Sequence, residues 1–256
     1  MRLVLAFVYL IFIWVLPSIC FGQTTDREHL WEPTQWFNFL EDLSSASVLE
    51  GAHCHGSYGI KIGVGGSSHV IPQAIPRYEL QYRESPEVGS EFFLPRVYFT
   101  KGTPLQIDFG GHIATDPDRM LTLLGGYAQW TIFQEKGLPA AALRSNFTQL
   151  AGVESTTYQG LQTEVLGSYG FLRFLEIYGG GGVGMHAATY QAEDDNRMTL
   201  LPDSIIAPAS KSADWVRPLF RMGLKIQLGS PFFALTSEYT SLQNRQILAG
   251  KLSIGL

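Results

Sequence analysis

The sequence predicts an all-β fold, an antiparallel transmembrane β-barrel of about 12 strands preceded by a short N-terminal helix. Three observations predict it. From residue 57 onward, apolar and polar residues alternate with period two in one segment after another, and period two sends every second side chain to the same face of a strand. The segments run roughly nine to twelve residues, longer than the usual five or six of soluble sheets and matched to the ~9–11 that a tilted strand needs to cross a bilayer. The connections are of two kinds, some tight and some long, the asymmetry that barrels show between their two rims.

The chain opens on an export pattern. Arg2 precedes an unbroken apolar run from Leu3 to Leu16, Pro17 and Ser18 break it, and Cys20-Phe21-Gly22 places small residues around a cleavage after Gly22. This reads as a signal peptide over residues 1–22. The run is shorter than the ~20 residues of a membrane-spanning helix. Lipid attachment at Cys20 is the competing reading, with Ile19 standing where that cleavage wants a small residue. Removal of the leader takes Cys20 with it and leaves Cys54 as the single thiol, so no disulfide framework is expected.

Residues 23–55 are expected to be a leader and an amphipathic helix. The helix is expected from Pro33-Thr34 to about Ser44, with Thr34 as N-cap. Trp36, Phe39, Leu40 and Leu43 line one side, and Asn38, Glu41 and Asp42 lie opposite. Its apolar stripe needs cover, and a plug at or inside the periplasmic mouth of a barrel provides it. An acidic polar face argues against a membrane-surface helix. His53, Cys54 and His55 resemble metal ligands by type, but neighbours in an extended chain point to opposite faces and do not converge on one ion. No metal and no cofactor is expected.

The barrel is expected over residues 56–256. Tyr58, Ile60, Ile62 and Val64 alternate with Gly59, Lys61, Gly63 and Gly65. Tyr78, Leu80 and Tyr82 mark a further segment, and so do Leu105, Ile107 and Phe109. Leu124, Ala128, Trp130 and Ile132 follow, then Leu161, Val165, Tyr169 and Phe171, then Phe220, Met222, Leu224, Ile226 and Leu228. Turns are expected at Lys101-Gly102-Thr103, Phe171-Leu172-Arg173 and Gly229-Ser230-Pro231, and a long acidic loop over residues 190–214. Eleven strands are evident by count, whereas single-chain barrels carry an even number. The missing strand is expected between Ala74 and Thr100 or between Ser47 and His55.

The last strand has Leu248, Leu252, Ile254 and Leu256 on one face and Lys251, Ser253 and Gly255 on the other. It resembles the closing strand of Gram-negative outer-membrane barrels, although those more often end in an aromatic residue. The runs Leu94-Pro95-Arg96-Val97-Tyr98-Phe99-Thr100-Lys101-Gly102-Thr103-Pro104, Leu121-Thr122-Leu123-Leu124-Gly125-Gly126 and Leu138-Pro139-Ala140-Ala141-Ala142-Leu143-Arg144 are similar to those of an uncharacterised, porin-like group of proteobacterial outer-membrane proteins. The similarity spans about residues 56–256. It implies residence in the cell outer membrane, contact with its lipid, and recognition of the C-terminal strand by the barrel-assembly machinery. It implies no activity. By the usual topology the turn at Gly229–Pro231 faces the periplasm and the 190–214 loop faces outside.

The chemistry-bearing residues fall on inward faces. Arg217, Arg221 and Lys225 share one face at spacing four, about 13 Å apart in succession. Facing lipid, each would cost ~2–4 kcal/mol near the midplane, so they are expected to line the lumen. Asp108, Glu164, Glu176 and Glu238 fall inward on other strands, with Glu176 and Glu238 the expected chief partners of the cations. A salt-bridge ladder filling the interior and a charged constriction of a small pore both fit. The run Gly179-Gly180-Gly181-Gly182-Val183-Gly184 lacks the Lys-Ser/Thr ending of a phosphate loop and is expected to make room for another element, such as the helix.

His112 with Asp108, and His186 with Glu176, share faces, but no serine stands beside them in a nucleophile setting. Acidic residues Glu193, Asp194 and Asp195 lack the glycine-centred pattern of a calcium loop. A net charge of −5 argues against nucleic-acid binding. The expected function is an integral outer-membrane barrel, a narrow pore or a structural barrel without catalytic activity. A barrel enzyme acting on lipid or surface peptide, and a secreted soluble β-barrel binding an apolar ligand, are the alternatives.

Overall fold

The structure is a computed structural model that describes residues 33–45, 48–56, 59–70, 91–116, 121–134, 139–153, 156–172, 174–191, 211–228, 233–242 and 245–255. The leader, the segment around Tyr78–Tyr82, the acidic cluster at 193–195, the Gly229–Pro231 turn and Leu256 lie outside the described residues.

Among the described residues, one helix, α1 (Pro33–Ser45), precedes ten strands. These are β1 (Ile60–Val70), β2 (Glu91–Gly102), β3 (Ile107–Asp116), β4 (Leu121–Gln134), β5 (Ala140–Ala151), β6 (Thr156–Leu172), β7 (Leu175–Tyr190), β8 (Lys211–Gln227), β9 (Phe233–Leu242) and β10 (Arg245–Gly255). Each strand pairs with its sequence neighbours, and β1 closes on β10 to complete the barrel. Closure satisfies every edge, which a sheet in lipid requires. All the pairings are antiparallel, with Ile62 opposite Ile254 and Val64 opposite Leu252 across the seam.

Ten strands replace the twelve expected. Residues 48–55 contain no strand. They run inside the barrel, and the β1–β2 and β1–β10 pairings leave no free edge at the seam for another strand to enter. The strand β6 has 17 residues and β8 also has 17, so both exceed a single bilayer crossing and project past it.

The alternation sorts two faces. Val64, Phe93, Ile113, Val165, Phe220, Leu248 and Ile254 are exposed on the outside, while Lys61, Arg96, Asp108, Glu164, Arg221, Glu238, Lys251 and Ser253 are buried on the inside. An apolar exterior around a charged interior is the reverse of a soluble barrel holding an apolar ligand, and it matches lipid outside. Ile254, at 47% exposure, belongs to the outer belt. The substitution Ile254→Arg is expected to destabilise the membrane-inserted form by ~2–4 kcal/mol if the residue lies near the midplane. Folding yield in thin bilayers measures this, and a parental yield would place the residue outside the hydrocarbon.

The helix starts at Pro33, whose missing N–H costs nothing in a first turn. Thr34 is inside the helix rather than capping it, and its hydroxyl accepts from Lys211 Nζ at 2.9 Å. The helix does not sit at the mouth with the tight turns. Trp36, Phe37, Phe39, Leu40 and Leu43 pack with Leu94, Ala114, Leu121, Leu123, Leu150 and Tyr158 at the opposite end, where the long connections lie. The Trp36 indole donates to Thr156 Oγ1 at 3.1 Å, and Phe37 stacks on Trp215. The reason is the hydrophobic lining. The strand ends at this mouth carry the apolar inward residues, and the stripe of α1 needs an apolar partner.

The glycines of β7 make room for a strand, not for the helix. A Cβ at Gly180 would lie 2.1 Å from the Val165 carbonyl oxygen, and one at Gly182 2.1 Å from that of Thr163. Both contacts are with the backbone of β6, so only glycine allows the approach.

Candidate functional site

From the end of α1 the chain runs down the lumen. Leu49 packs among Tyr98, Leu219, Leu242, Ile247 and Ala249, and Ala52 among Ala140, Ala142 and Leu166. Gly59 N then bonds to Gly56 O at 3.2 Å, and the chain turns into β1 at the mouth with the tight turns. Residues 33–45 therefore lie at one mouth of the barrel, and residues 48–56 run along the lumen to the other.

Residues 48–56 pair with no strand, so their peptide groups need other partners. Wall side chains supply them. Arg144 donates to the carbonyl of Val48 at 3.1 Å and to that of Glu50. Gln129 donates to Gly51 O at 3.0 Å and Thr131 to Ala52 O at 2.8 Å. Cys54 N donates to Gln134 Oε1 at 2.8 Å, and His55 N to Asp108 Oδ2 at 3.0 Å. Arg96 donates to the carbonyl of Leu43 at the end of α1.

The acidic side chains of the threaded segment meet the basic ones of the wall in two clusters. Near the mouth with the long connections, Glu41 accepts from Arg217 at 2.8 Å, Arg245 at 2.6 Å and the Trp215 indole at 3.2 Å. Asp42 pairs with Arg245 at 2.7 Å. Ser44 donates to Glu41 O, so the Tyr158 hydroxyl 2.6 Å away donates to Ser44 and accepts from His186 Nδ1 at 2.8 Å. Toward the other mouth, Glu50 lies 2.6 Å from Lys251, 3.1 Å from Lys61 and 3.8 Å from Lys225. The Lys251 ammonium also rests over the Tyr98 ring.

The sequence-derived residues divide between these clusters and a wall-to-wall network. Arg221 bridges Glu164 at 2.6 Å and Glu238 at 2.9 Å, and Tyr178 donates to Glu238 at 2.9 Å. Arg144 stands 3.4 Å from Glu164. Lys225 pairs with Glu176 at 3.3 Å. Arg217 departs from expectation, for its acid comes from the helix and not from a neighbouring strand. Asp108 accepts from His55 Nδ1 at 2.6 Å.

Glu41, Glu50, Lys61, Arg144, Arg245 and Lys251 escaped sequence reasoning as site members. The inward phase of Lys61 and Lys251 was legible, but the acid between them lies on a segment with no strand pattern.

Among the described residues, the strands turn eight buried or half-buried basic side chains to the lumen, Lys61, Arg96, Arg144, Arg217, Arg221, Lys225, Arg245 and Lys251, and a ninth, the exposed Lys211, has the same phase at the rim and donates to Thr34. They turn five acidic ones inward: Asp108, Asp116, Glu164, Glu176 and Glu238. Leaving aside the solvent-exposed rim lysine Lys211, the wall alone carries an excess of three positive charges with histidines neutral. Glu41, Asp42 and Glu50 of the threaded segment cancel that excess.

A serine–histidine–carboxylate grouping does occur, at Ser168, His53 and Glu176. Ser168 Oγ and Glu176 Oε1 both stand 2.8 Å from the same His53 nitrogen, Nδ1. A relay needs one partner on each ring nitrogen, so this arrangement does not set up the serine as a nucleophile. His53 and His55 turn to different carboxylates, Glu176 and Asp108, and share no ion-sized centre.

No family model matches the chain, and no curated protein matches it in sequence. Solved structures to which the chain is similar include the N-terminal β-barrel domain of Pseudomonas aeruginosa OprF, at 8% identity and TM-score 0.39, over 78% of this chain and 98% of that one. The KdgM porin in complex with disordered oligogalacturonate aligns at 6% identity and TM-score 0.38, over 77% of this chain and 99% of that one. An outer membrane channel from Pseudomonas putida F1 aligns at 9% identity and TM-score 0.36, over 83% of this chain and 98% of that one. These likenesses concern the barrel alone. A closed antiparallel barrel with an apolar outer belt is the form in which a β-chain crosses an outer membrane, and this chain is an integral outer-membrane β-barrel.

Proposed function

We propose that this barrel is a narrow pore without catalytic activity, held closed by its own residues 33–56. The observation that carries the reading is the charge match between wall and plug. A structural barrel has no need of an inward wall with an excess of positive charge, since apolar filling is at least as stable as buried ion pairs. Here the excess is neutralised by three carboxylates on one removable segment. Both mouths are crossed by that segment, so its departure leaves a continuous polar path lined by Arg144, Arg221, Lys225 and Lys251.

The reading assigns the sign of the current. A lumen with a positive wall concentrates anions and excludes cations. Planar-bilayer recording of the full chain is expected to show rare, brief openings. A variant lacking residues 27–52 is expected to conduct steadily and to prefer chloride over potassium in a salt gradient. A folded deletion variant that stays silent, or one that prefers cations, would refute the proposal.

A further inference from the structure

The wall holds the plug by two separable devices. The first is a carboxylate pocket, in which Lys61, Lys225 and Lys251 converge from three strands on the Glu50 side chain, with the nearest contact at 2.6 Å. The second is a row of side-chain donors, Arg144, Gln129 and Thr131, aimed at the peptide carbonyls of Val48, Glu50, Gly51 and Ala52. Together they recognise an extended chain lying along the barrel axis, through its backbone and through one acidic side chain. Nothing in either device requires the chain to be covalently joined to β1.

Resting on the reading of a plugged pore, we infer that residues 48–52 are a tethered ligand and that the open lumen binds extended acidic peptides with a carboxylate at the Glu50 place. A small dicarboxylate shares only the ammonium pocket. It gains nothing from the carbonyl-directed donors and leaves Arg144, buried and aimed inward, without its peptide partners. Peptide length and charge together therefore define the ligand class. A neutral peptide leaves three ammonium groups facing one another in a confined space.

The test uses the variant lacking residues 27–52 in planar bilayers, with three probes added to the bath. These are the synthetic peptide of residues 48–52, the same peptide with Glu50→Gln, and glutarate. The acidic peptide is expected to block the current reversibly. The Glu50→Gln peptide should need about tenfold more or beyond, the scale of a lost charge-assisted hydrogen bond. Glutarate should need more than either peptide, because it lacks the backbone contacts. Equal block by the two peptides, or block by glutarate at the acidic peptide's concentration, overturns the inference and leaves the pore standing. A folded variant that never conducts overturns the pore reading instead.

Where that variant fails to reach the heat-modifiable form, the full chain with a protease site replacing residues 57–58 serves. It is cut after folding, so the plug becomes a free ligand held by the same wall. The cut plug should be retained about tenfold longer than its Glu50→Gln counterpart at moderate salt, and equal release of the two overturns the inference.

Discussion

Replacing Arg221 by leucine is expected to destabilise the barrel by about 3–5 kcal/mol, the cost of leaving buried charge without its partner. The Arg221 guanidinium is completely buried and holds two carboxylates, Glu164 at 2.6 Å and Glu238 at 2.9 Å. Its Nη2 also donates to Gln162 at 3.3 Å. Leucine removes the cation and leaves both acids in the interior. Arg144, 3.4 Å from Glu164, compensates one of them in part, and Tyr178 continues to donate to Glu238. Urea titration of the refolded protein in thin bilayers, followed by heat-modifiable migration, reads the loss. Adding Glu238→Gln to the variant should restore part of the stability by removing one of the stranded charges. A single variant as stable as the parent would show that these acids are not buried together. Arg217→Leu is the contrast, because its acid, Glu41, keeps Arg245 at 2.6 Å and the loss should be smaller.

The second large effect is on closure. Glu50→Leu in the full chain keeps the strands and α1 but leaves Lys61, Lys225 and Lys251 without the carboxylate they share. Removing one member of a buried charge cluster costs about 3–5 kcal/mol. Here the barrel has a way to relieve it, by expelling residues 48–56 and letting water and anions into the lumen. At a tenfold change per 1.4 kcal/mol, open events should become on the order of a hundred to a few thousand times more frequent. Single-channel recording counts them directly. The same variant should unfold close to parental conditions once the plug has left, because the ammonium groups are then solvated. An unchanged opening frequency would mean that the carboxylate does not hold the plug in place.

How much of this was legible in the sequence differs from feature to feature. The alternation of Leu252 and Ile254 with Lys251 and Ser253 sorted outside from inside, and the structure leaves the first pair exposed and buries the second. The stripe of Trp36, Phe39, Leu40 and Leu43 marked a helix expected from Pro33-Thr34 to about Ser44, and the structure has it over Pro33–Ser45. The polar side of that helix was misleading. Glu41 is buried as completely as Leu40, because its solvent is replaced by Arg217 and Arg245 of the wall. A helix inside a polar lumen needs no wet face, and the amphipathic pattern cannot distinguish charged protein from water.

By itself the sequence determined which side chains point to lipid and which to the lumen, since period two is a property of the local backbone and needs no partner strand. It also determined that Arg221 and Lys225 lie inside. Only the tertiary structure decided that ten strands close the barrel, because closure depends on how β1 meets β10 across nearly two hundred residues. It alone decided that α1 sits at the mouth with the long connections, and that Glu50 lies among three lysines from β1, β8 and β10. The physical reason is range. Side-chain direction follows from the torsions of one residue and its neighbours, whereas charge partners follow from register and from the course of a segment that carries no strand pattern of its own.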